Sequence, residues 1–256
     1  MDDQMSPEGA VCGVDGCDDA ATTNATLRSE AGVGTRIDIV SDAICPWCYI
    51  GKRQLERALT LLEPEGLRFS VHWNPFQLNP DMPPEGRDRA AYRAWKFGGA
   101  DRAREGDERV ADAARRVGLP FRQELMLRTP NTLDAHRLIW FAGQKQPAVA
   151  GAQDAVMEAV FAAYFIQGRD IGDRAVLADC AGQAGLDREE AAQFLAGEMA
   201  AREMLAADQA AREAGVNGVP SFFLDGYGLF SGAVPAEQMA EALRKGNEIL
   251  RQRAAA

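Results

Sequence analysis

The chain has 256 residues, of which 46% are apolar and 26% charged, a composition typical of a globular protein with one large domain or a domain carrying an insertion. Its formal net charge of −10 argues against nucleic acid as a partner, because a phosphate backbone requires a basic face. No stretch approaches the roughly 18 consecutive apolar residues of a membrane-spanning helix, so no association with a membrane is expected.

The N-terminal segment carries much of the negative charge. Residues 1–34 contain seven acidic residues and one basic residue, hence a net charge of −6, and show no apolar periodicity. This pattern predicts a disordered acidic tail. The opening residues MDDQMSPEGA have neither the basic nor the apolar region of a secretory signal, so a cytoplasmic protein with reduced thiols is expected.

Predicted secondary structure begins with residues 35–40, where polar and β-branched apolar residues alternate as in a strand. Apolar residues then recur at helical spacing over residues 55–62, and Pro64 and Gly66 end this helix. Residues 67–76 alternate again. We therefore predict a β-α-β unit with parallel strands.

Residues 80–214 have a different character, because apolar residues recur at helical spacing and no run is typical of a strand. Asp173 and Asp187 precede two of the predicted helices and are candidate N-caps. This segment is predicted to be an all-helical insertion.

Strand patterns return near the C-terminus, in residues 220–224 and 228–231. The dipeptide Asp225-Gly226 between them predicts a β-hairpin. Pro235 is predicted to be the first residue of a last helix. The order is thus β-α-β, a helical insertion, and β-β-α, with residues 35–79 and 215–256 forming one α/β domain.

The motif Cys45-Pro46-Trp47-Cys48 lies between a predicted strand and a predicted helix. A helix N-terminus favours an anion, and the thiolate is the attacking form of cysteine. Pro46 suits the first turn of a helix, and Trp47 lies beside the nucleophile. Cys45 is therefore the predicted nucleophile and the more exposed thiol, and Cys48 is the predicted buried resolving thiol.

Other residues near this motif have simpler interpretations. Lys52 and Arg53 follow it on the same helix, and a solvated helix face is expected for them. Cys180 lies on an apolar helical stripe and is expected to be a buried core thiol.

Metal binding is the alternative explanation for a Cys-x-x-Cys motif. Structural zinc sites use four ligands, and Cys12 and Cys17 could complete a set with the two motif cysteines. Such a site would tie a helix terminus to the tail. His72 and His136 fall in a predicted strand and a predicted helix without ligand spacing, so no metal is expected. A zinc-binding or partner-binding module remains an alternative.

A second feature supports redox chemistry. Val219 and Pro220 open the late strand after the sequence GVNG. A proline at this point cannot donate to the strand ladder. In a thioredoxin-like fold this bend is a cis-proline loop that faces the dithiol, and the backbone of Val219 could pair with an extended substrate.

Taken together, these residues resemble the DsbA-like oxidoreductases, in particular their cytoplasmic FrnE-like branch, which groups with the 2-hydroxychromene-2-carboxylate isomerases. The matching segments cover nearly all of the chain that is predicted to be ordered. They are SDAICPWCYIGKR (41–53), NTLDAHRL (131–138), AYFIQGRDIGD (163–173), GVNGVPSFF (215–223) and SGAVPAE (231–237).

The resemblance implies a thioredoxin-like fold interrupted by an all-helical insertion whose helices cover the active site. It implies disulfide exchange with Cys45 as nucleophile, Cys48 as resolving residue and Pro220 as cis-proline. Asn131 lies in one matching segment, where it either faces the cleft or caps a helix. No cofactor is implied, and the expected partners are protein or small-molecule thiols and disulfides.

Two further points follow from the same resemblance. The related isomerases use glutathione, so a glutathione-dependent isomerase or transferase is an alternative function, with glutathione as a thiol substrate. These isomerases typically carry serine where this chain has Cys45, and that difference weighs against isomerase chemistry here. Some FrnE-like proteins also carry a second Cys-x4-Cys pair. Cys12 and Cys17 have this spacing, and they are either a second redox pair or part of an inert tail. The sequence does not predict the oligomeric state.

Overall fold

A computed structural model describes residues 34–145 and 151–255 of the chain. Six strands are described: β1 (Thr35–Ser41), β2 (Phe69–Pro75), β3 (Arg87–Asp88), β4 (Arg128–Thr129), β5 (Ser221–Leu224) and β6 (Tyr227–Ser231). Nine α-helices are described: α1 (Pro46–Leu62), α2 (Arg89–Phe97), α3 (Ala100–Arg116), α4 (Leu133–Gln144), α5 (Ala152–Phe165), α6 (Arg174–Gln183), α7 (Arg188–Ala196), α8 (Ala201–Glu213) and α9 (Ala236–Ala254).

Four strands form the central sheet in the order β2-β1-β5-β6. The predicted parallel pairing of the first two strands is confirmed, with Ile37 opposite Val71. On its other side β1 pairs antiparallel with β5, where Ile39 faces Phe222. Ile37 and Ile39 are fully buried, so β1 forms the centre of the core.

The C-terminal hairpin also forms as predicted. Asp225 and Gly226 both have positive φ, 48° and 81°, which is the backbone geometry that a two-residue hairpin requires. The last helix begins one residue later than predicted. Pro235 has a ψ of 149°, so it is the extended residue before the helix, and Ala236 is the first helical residue.

Helices α2 to α8 occupy the chain between β2 and β5. Asp173 and Asp187 are N-caps as predicted, because their carboxylates accept hydrogen bonds from Ala175 N and Glu190 N. The insertion also contains β3 and β4, which pair antiparallel over two residues each. Strands this short leave no alternating pattern in the sequence, which is why they were not predicted.

The insertion shares one core with the sheet. The Gln153 side chain on α5 accepts a hydrogen bond from Trp73 N at 2.8 Å and donates to Trp73 O at 3.2 Å. It thereby satisfies backbone groups of β2, the strand at one end of the sheet. The rings of Tyr49 and Phe161 stack at a centroid distance of 4.8 Å and join α1 to α5. Within residues 34–145 and 151–255, no helix is long and apolar enough to cross a membrane.

Candidate active site at the start of helix α1

Cys45 is the last extended residue before α1, with φ −86° and ψ 112°, and Pro46 opens the helix. A hydrogen bond of 3.0 Å from Cys45 N to Asp42 O closes the turn between β1 and α1. The Cys45 side chain therefore lies at the positive end of the helix dipole, where a thiolate is favoured. Both motif thiols are free.

Cys48 lies one turn into the helix, and its backbone N donates to Cys45 O at 3.0 Å. Its side chain is fully buried. Burial is the main cause that raises the pKa of Cys48 well above its ordinary value, and the adjacent Cys45 raises it further. The Ser41 side chain and the Asp42 backbone oppose this shift. Cys48 is thus held as a protonated thiol next to Cys45.

The loop before β5 forms the opposite wall of the site. The Val219–Pro220 peptide bond is cis, and Cys45 Sγ lies 3.6 Å from Val219 O. Pro220 also packs on α1, where a Cβ added to Gly51 would lie only 3.0 Å from Pro220 Cγ. The contact between Pro220 and Cys45's helix therefore depends on a glycine at position 51.

Exposure differs less between the two thiols than the sequence suggests. Cys45 is 3% exposed and Cys48 is 0% exposed, and the Val219 loop covers the Cys45 sulfur. The difference lies in what each thiol faces: Cys45 lines a cleft of about 500 Å³, and Cys48 is not among the residues that line it. Trp47 is 40% exposed at the same cleft.

The cleft is lined by the start of α1, the Val219 loop, and helices α2 and α3 of the insertion. Its apolar lining includes Ile44, Phe121 and Phe165. Among the described residues that line it, five are cationic and one is a carboxylate, Asp107. The cations are Arg89, Arg93, Lys96, Arg102 and Arg109. The cleft beside Cys45 therefore carries a clear excess of positive charge.

Two of these arginines share the one carboxylate. Asp107 Oδ1 lies 3.0 Å from Arg89 and 2.6 Å from Arg93. Burial lowers the pKa of Arg93 below its ordinary value, and Arg89 lowers it further, while Asp107 opposes the shift. Arg93 Nε is buried and has no hydrogen-bond partner among the described residues. This cluster can accept an additional anion.

Comparison with known proteins identifies the family. The model of the DsbA-like thioredoxin domain matches residues 36–244. This chain belongs to the DsbA-like thioredoxin family. The thioredoxin-like fold with a helical insertion, predicted from the sequence, is thereby confirmed, and so is the relation to the DsbA-like oxidoreductases.

Three solved structures illustrate the relationship. A protein from Streptomyces coelicolor, described as a probable DsbA oxidoreductase, is 32% identical, with a TM-score of 0.71 over 82% of this chain and 89% of that one. A 2-hydroxychromene-2-carboxylate isomerase is 18% identical, with a TM-score of 0.58 over 86% and 98% of the two chains. The cytosolic disulfide reductase DsbM from Pseudomonas aeruginosa is 20% identical, with a TM-score of 0.54 over 86% and 100%.

Two matches add further detail. DsbM has also been solved with GSH, a structure that is 18% identical to this chain with a TM-score of 0.53 over 86% and 100% of the two chains. The uncharacterized protein YwbO of Bacillus subtilis is 37% identical over 49 residues, which span 19% of this chain and only 22% of that protein.

The structure of this DsbA-like chain corrects one expectation near the motif. Lys52 is only 3% exposed and does not lie on a solvated face. It forms ion pairs with Glu56, with Asp154 at 3.0 Å and with Glu158 at 3.3 Å. Burial opposes its charge, but these carboxylates raise the pKa of Lys52 above its ordinary value. Two of the partners, Asp154 and Glu158, lie on α5, so the sequence around Lys52 could not predict these ion pairs.

The remaining predicted residues are placed as follows. Asn131 is not among the described residues that line the cleft. Its Nδ2 donates to Met82 O at 2.6 Å, and its Oδ1 accepts from Leu133 N at 2.9 Å at the start of α4. Cys180 is fully buried, and burial raises its pKa to about 11. Cys12 and Cys17 lie outside the described residues. No cluster of three or more metal-ligating side chains occurs within residues 34–145 and 151–255.

Proposed function

We propose that this protein is a thiol–disulfide oxidoreductase of the reductase or isomerase type. One observation carries the proposal: Cys45 precedes α1, lines the cleft and faces Val219 O at 3.6 Å, with the protonated thiol of Cys48 one turn behind it. Membership of the DsbA-like family supports the same chemistry.

The reaction has two steps. The Cys45 thiolate attacks one sulfur of a substrate disulfide, which releases the other sulfur as a thiolate and leaves a mixed disulfide on Cys45. Cys48 then loses its proton and attacks Cys45 Sγ, which breaks the mixed disulfide and releases the second substrate thiolate. The substrate gains two electrons, and the cysteine pair is oxidised to a disulfide. An extended substrate would align along the backbone of Val219.

The charge of the cleft favours small thiols that carry carboxylates, of which glutathione is the example the family offers. Five cationic side chains and one carboxylate line the cleft beside Cys45. The cleft has a volume of about 500 Å³, which is within the range of small-molecule sites. The DsbM structure with GSH provides a precedent in this fold. We propose glutathione disulfide, or mixed disulfides of glutathione with protein, as substrates.

The cellular compartment determines the direction in which electrons would flow between this protein and its substrates. In a cytoplasmic compartment the glutathione pool keeps thiols reduced, so net reduction or reshuffling of substrates is favoured over oxidation. The description of DsbM as cytosolic supports this location.

The proposal is tested by adding the purified protein to two assays. One measures the reduction of insulin by dithiothreitol, and the other measures the reduction of glutathione disulfide. Acceleration of either reaction is expected, and a Cys180→Ser variant should match the wild type because Cys180 is buried in the core. No acceleration by either protein would contradict the proposed function.

The positive charge of the cleft leads to a separate prediction about substrate binding. Arg93→Met should raise the KM for glutathione disulfide by about tenfold, because a charge-assisted hydrogen bond contributes about 1.5–3 kcal/mol. The KM for the uncharged hydroxyethyl disulfide should change little. Steady-state kinetics on both substrates measure the difference.

The control for this prediction is Arg104→Met. Arg104 lies on α3, pairs with Asp101 at 2.8 Å and does not line the cleft. Equal effects of the Arg93 substitution on charged and uncharged disulfides would show that the cluster does not bind the substrate's carboxylates.

A second candidate function is supported by the same basic cleft. A glutathione-dependent isomerase or transferase would also need a cationic, anion-binding site beside position 45, and an isomerase shares this fold. Its activity would survive the loss of Cys48, whereas dithiol exchange would not. Zinc in stoichiometric amount in the purified protein would instead support a metal-binding module.

A further inference from the structure

A second cavity, distinct from the substrate cleft, lies beside strand β2. It has a volume of about 300 Å³ and shares no lining residue with the cleft beside Cys45. Strand β2 and helices α4, α5 and α8 all contribute to its walls. Arg36 and Glu203 belong to its lining and are exposed, so the cavity opens to solvent. Its volume is at the lower end of the range for small-molecule sites.

The walls of this cavity are mainly aromatic and aliphatic. Its apolar lining consists of Trp73, Ile139, Trp140, Met157 and Met204. Two polar groups of the same lining are already satisfied. The indole N–H of Trp73 donates to Asp154 at 3.0 Å, and the Gln153 amide bonds to the backbone of Trp73. Such walls favour a flat and largely apolar ligand.

One buried polar side chain of the lining lacks a hydrogen-bond partner. His136 is 3% exposed, and its Nε2 lies 3.4 Å from Asp42 Oδ1. Neither atom forms a hydrogen bond within residues 34–145 and 151–255. Asp42 is held in place, because its Oδ2 accepts a hydrogen bond of 2.7 Å from Leu78 N. A buried imidazole without hydrogen bonds is costly, and a ligand in the cavity can supply one.

The carboxylate behind His136 determines which ring nitrogen a ligand would meet. An ionised carboxylate only accepts hydrogen bonds, so Asp42 favours the tautomer of His136 that carries its proton on Nε2. In that tautomer Nδ1 is an acceptor. A ligand of this cavity therefore needs a group that can donate to Nδ1.

The charged residues of the cavity do not favour an anion. Arg36 is the one cationic side chain among the described residues of the lining, apart from the histidines, and it donates two hydrogen bonds to Asp38 at 2.6 and 2.8 Å. Burial lowers the pKa of His72, and Arg36 lowers it further, while Asp38 opposes the shift. His72 is thus neutral near pH 7, and Glu203 adds a negative charge. A neutral ligand suits this cavity, in contrast to the basic cleft.

We propose that this cavity binds a small phenol, whose ring packs between the apolar walls and whose hydroxyl group hydrogen-bonds to His136. A hydroxyl group can donate to Nδ1 of the neutral imidazole, and it can accept from Nδ1 if the ring is protonated, so it fits both states of His136. The inference does not depend on the proposed function, because the cavity and the substrate cleft have no lining residue in common.

The test uses the small number of histidines in this protein. The chain contains two, and both line the cavity, so NMR of protein labelled with ¹⁵N-histidine reports on this site alone. Titration with phenol should give saturable shifts of the ring nitrogens, larger at Nδ1 than at Nε2 of His136. Toluene has a similar shape but no hydroxyl group, and it should bind about tenfold more weakly. Excess glutathione disulfide should leave the affinity for phenol unchanged.

Two substitutions on α8 form a matched pair. Ala207 lines the cavity, so Ala207→Phe should fill it and weaken phenol binding by more than tenfold. Ala206 is the preceding residue on the same helix, is exposed and does not line the cavity. Ala206→Phe should therefore bind phenol like the wild type. His136→Phe keeps an aromatic ring but removes the hydrogen bond, and it should bind phenol and toluene with similar affinity.

Several results would overturn this site. They are the absence of saturable shifts in the wild type, equal affinities of the wild type for phenol and toluene, and unchanged phenol binding by Ala207→Phe. Displacement of phenol by glutathione disulfide would also overturn it, since phenol would then occupy the substrate cleft. The comparison of phenol with toluene uses the wild type, so it holds even if a variant does not fold. Phenol binding without any disulfide exchange would contradict the proposed function alone.

Discussion

Cys45→Ser is expected to abolish disulfide exchange, with a loss on the order of 10⁴-fold or more. A serine hydroxyl is not ionised at neutral pH, so the site at the start of α1 would hold no nucleophile. Cys48 cannot substitute for it, because its thiol is fully buried and its pKa is raised by burial. Reduction of glutathione disulfide measures the loss.

Cys48→Ser should behave differently from Cys45→Ser. Cys45 can still attack, but nothing resolves the product, so a mixed disulfide with glutathione should accumulate. Mass spectrometry of the intact protein would detect one bound glutathione, which dithiothreitol removes. Cys180→Ser is the control and should neither lose activity nor trap substrate. Full turnover by Cys48→Ser would contradict the resolving role and favour the isomerase function.

Arg137→Met is expected to lower the free energy of unfolding by about 3–5 kcal/mol, the usual cost of breaking a buried ion pair. Arg137 is 1% exposed and pairs with Asp134 at 2.5 Å. Its guanidinium also donates to four backbone carbonyls in the last turn of α7 and the loop to α8, those of Phe194, Leu195, Gly197 and Met199. Methionine would leave these carbonyls without donors and Asp134 with one partner fewer.

The matched control is Arg174→Met. Arg174 pairs with the same carboxylate at 2.7 Å, but its side chain is 46% exposed. An exposed pair contributes at most about 1 kcal/mol, so this variant should remain close to the wild type. Unfolding in urea measures both variants. If Arg137→Met and Arg174→Met had the same free energy of unfolding, the carbonyl contacts of Arg137 would contribute nothing beyond the ion pair.

The sequence predicted the parts of the fold that local patterns determine. Alternation in residues 35–40 and the dipeptide Asp225-Gly226 are contained in short segments, and both elements form. The motif of Cys45 and Cys48 was found for the same reason, since its spacing and position at a helix start are local.

The missed features all depend on contacts between distant segments. The carboxylates around Lys52 come from α5, and the pairing of β3 with β4 spans two residues on each strand. The basic cluster around Asp107 joins α2 to α3. His136 was assigned to a helix correctly, but its position against Asp42 depends on how α4 packs near β1.

The insertion also fixes when the active site can form during synthesis. Cys45 and Val219, which meet at 3.6 Å, are separated by 174 residues along the chain. At ribosomal rates of about 5–20 residues per second, roughly 9–35 s pass between the synthesis of the two. During that interval β1 lacks its partner β5, and Cys45 lacks the loop that covers it. A chain that stops before residue 219 therefore contains the complete Cys-x-x-Cys motif but no active site.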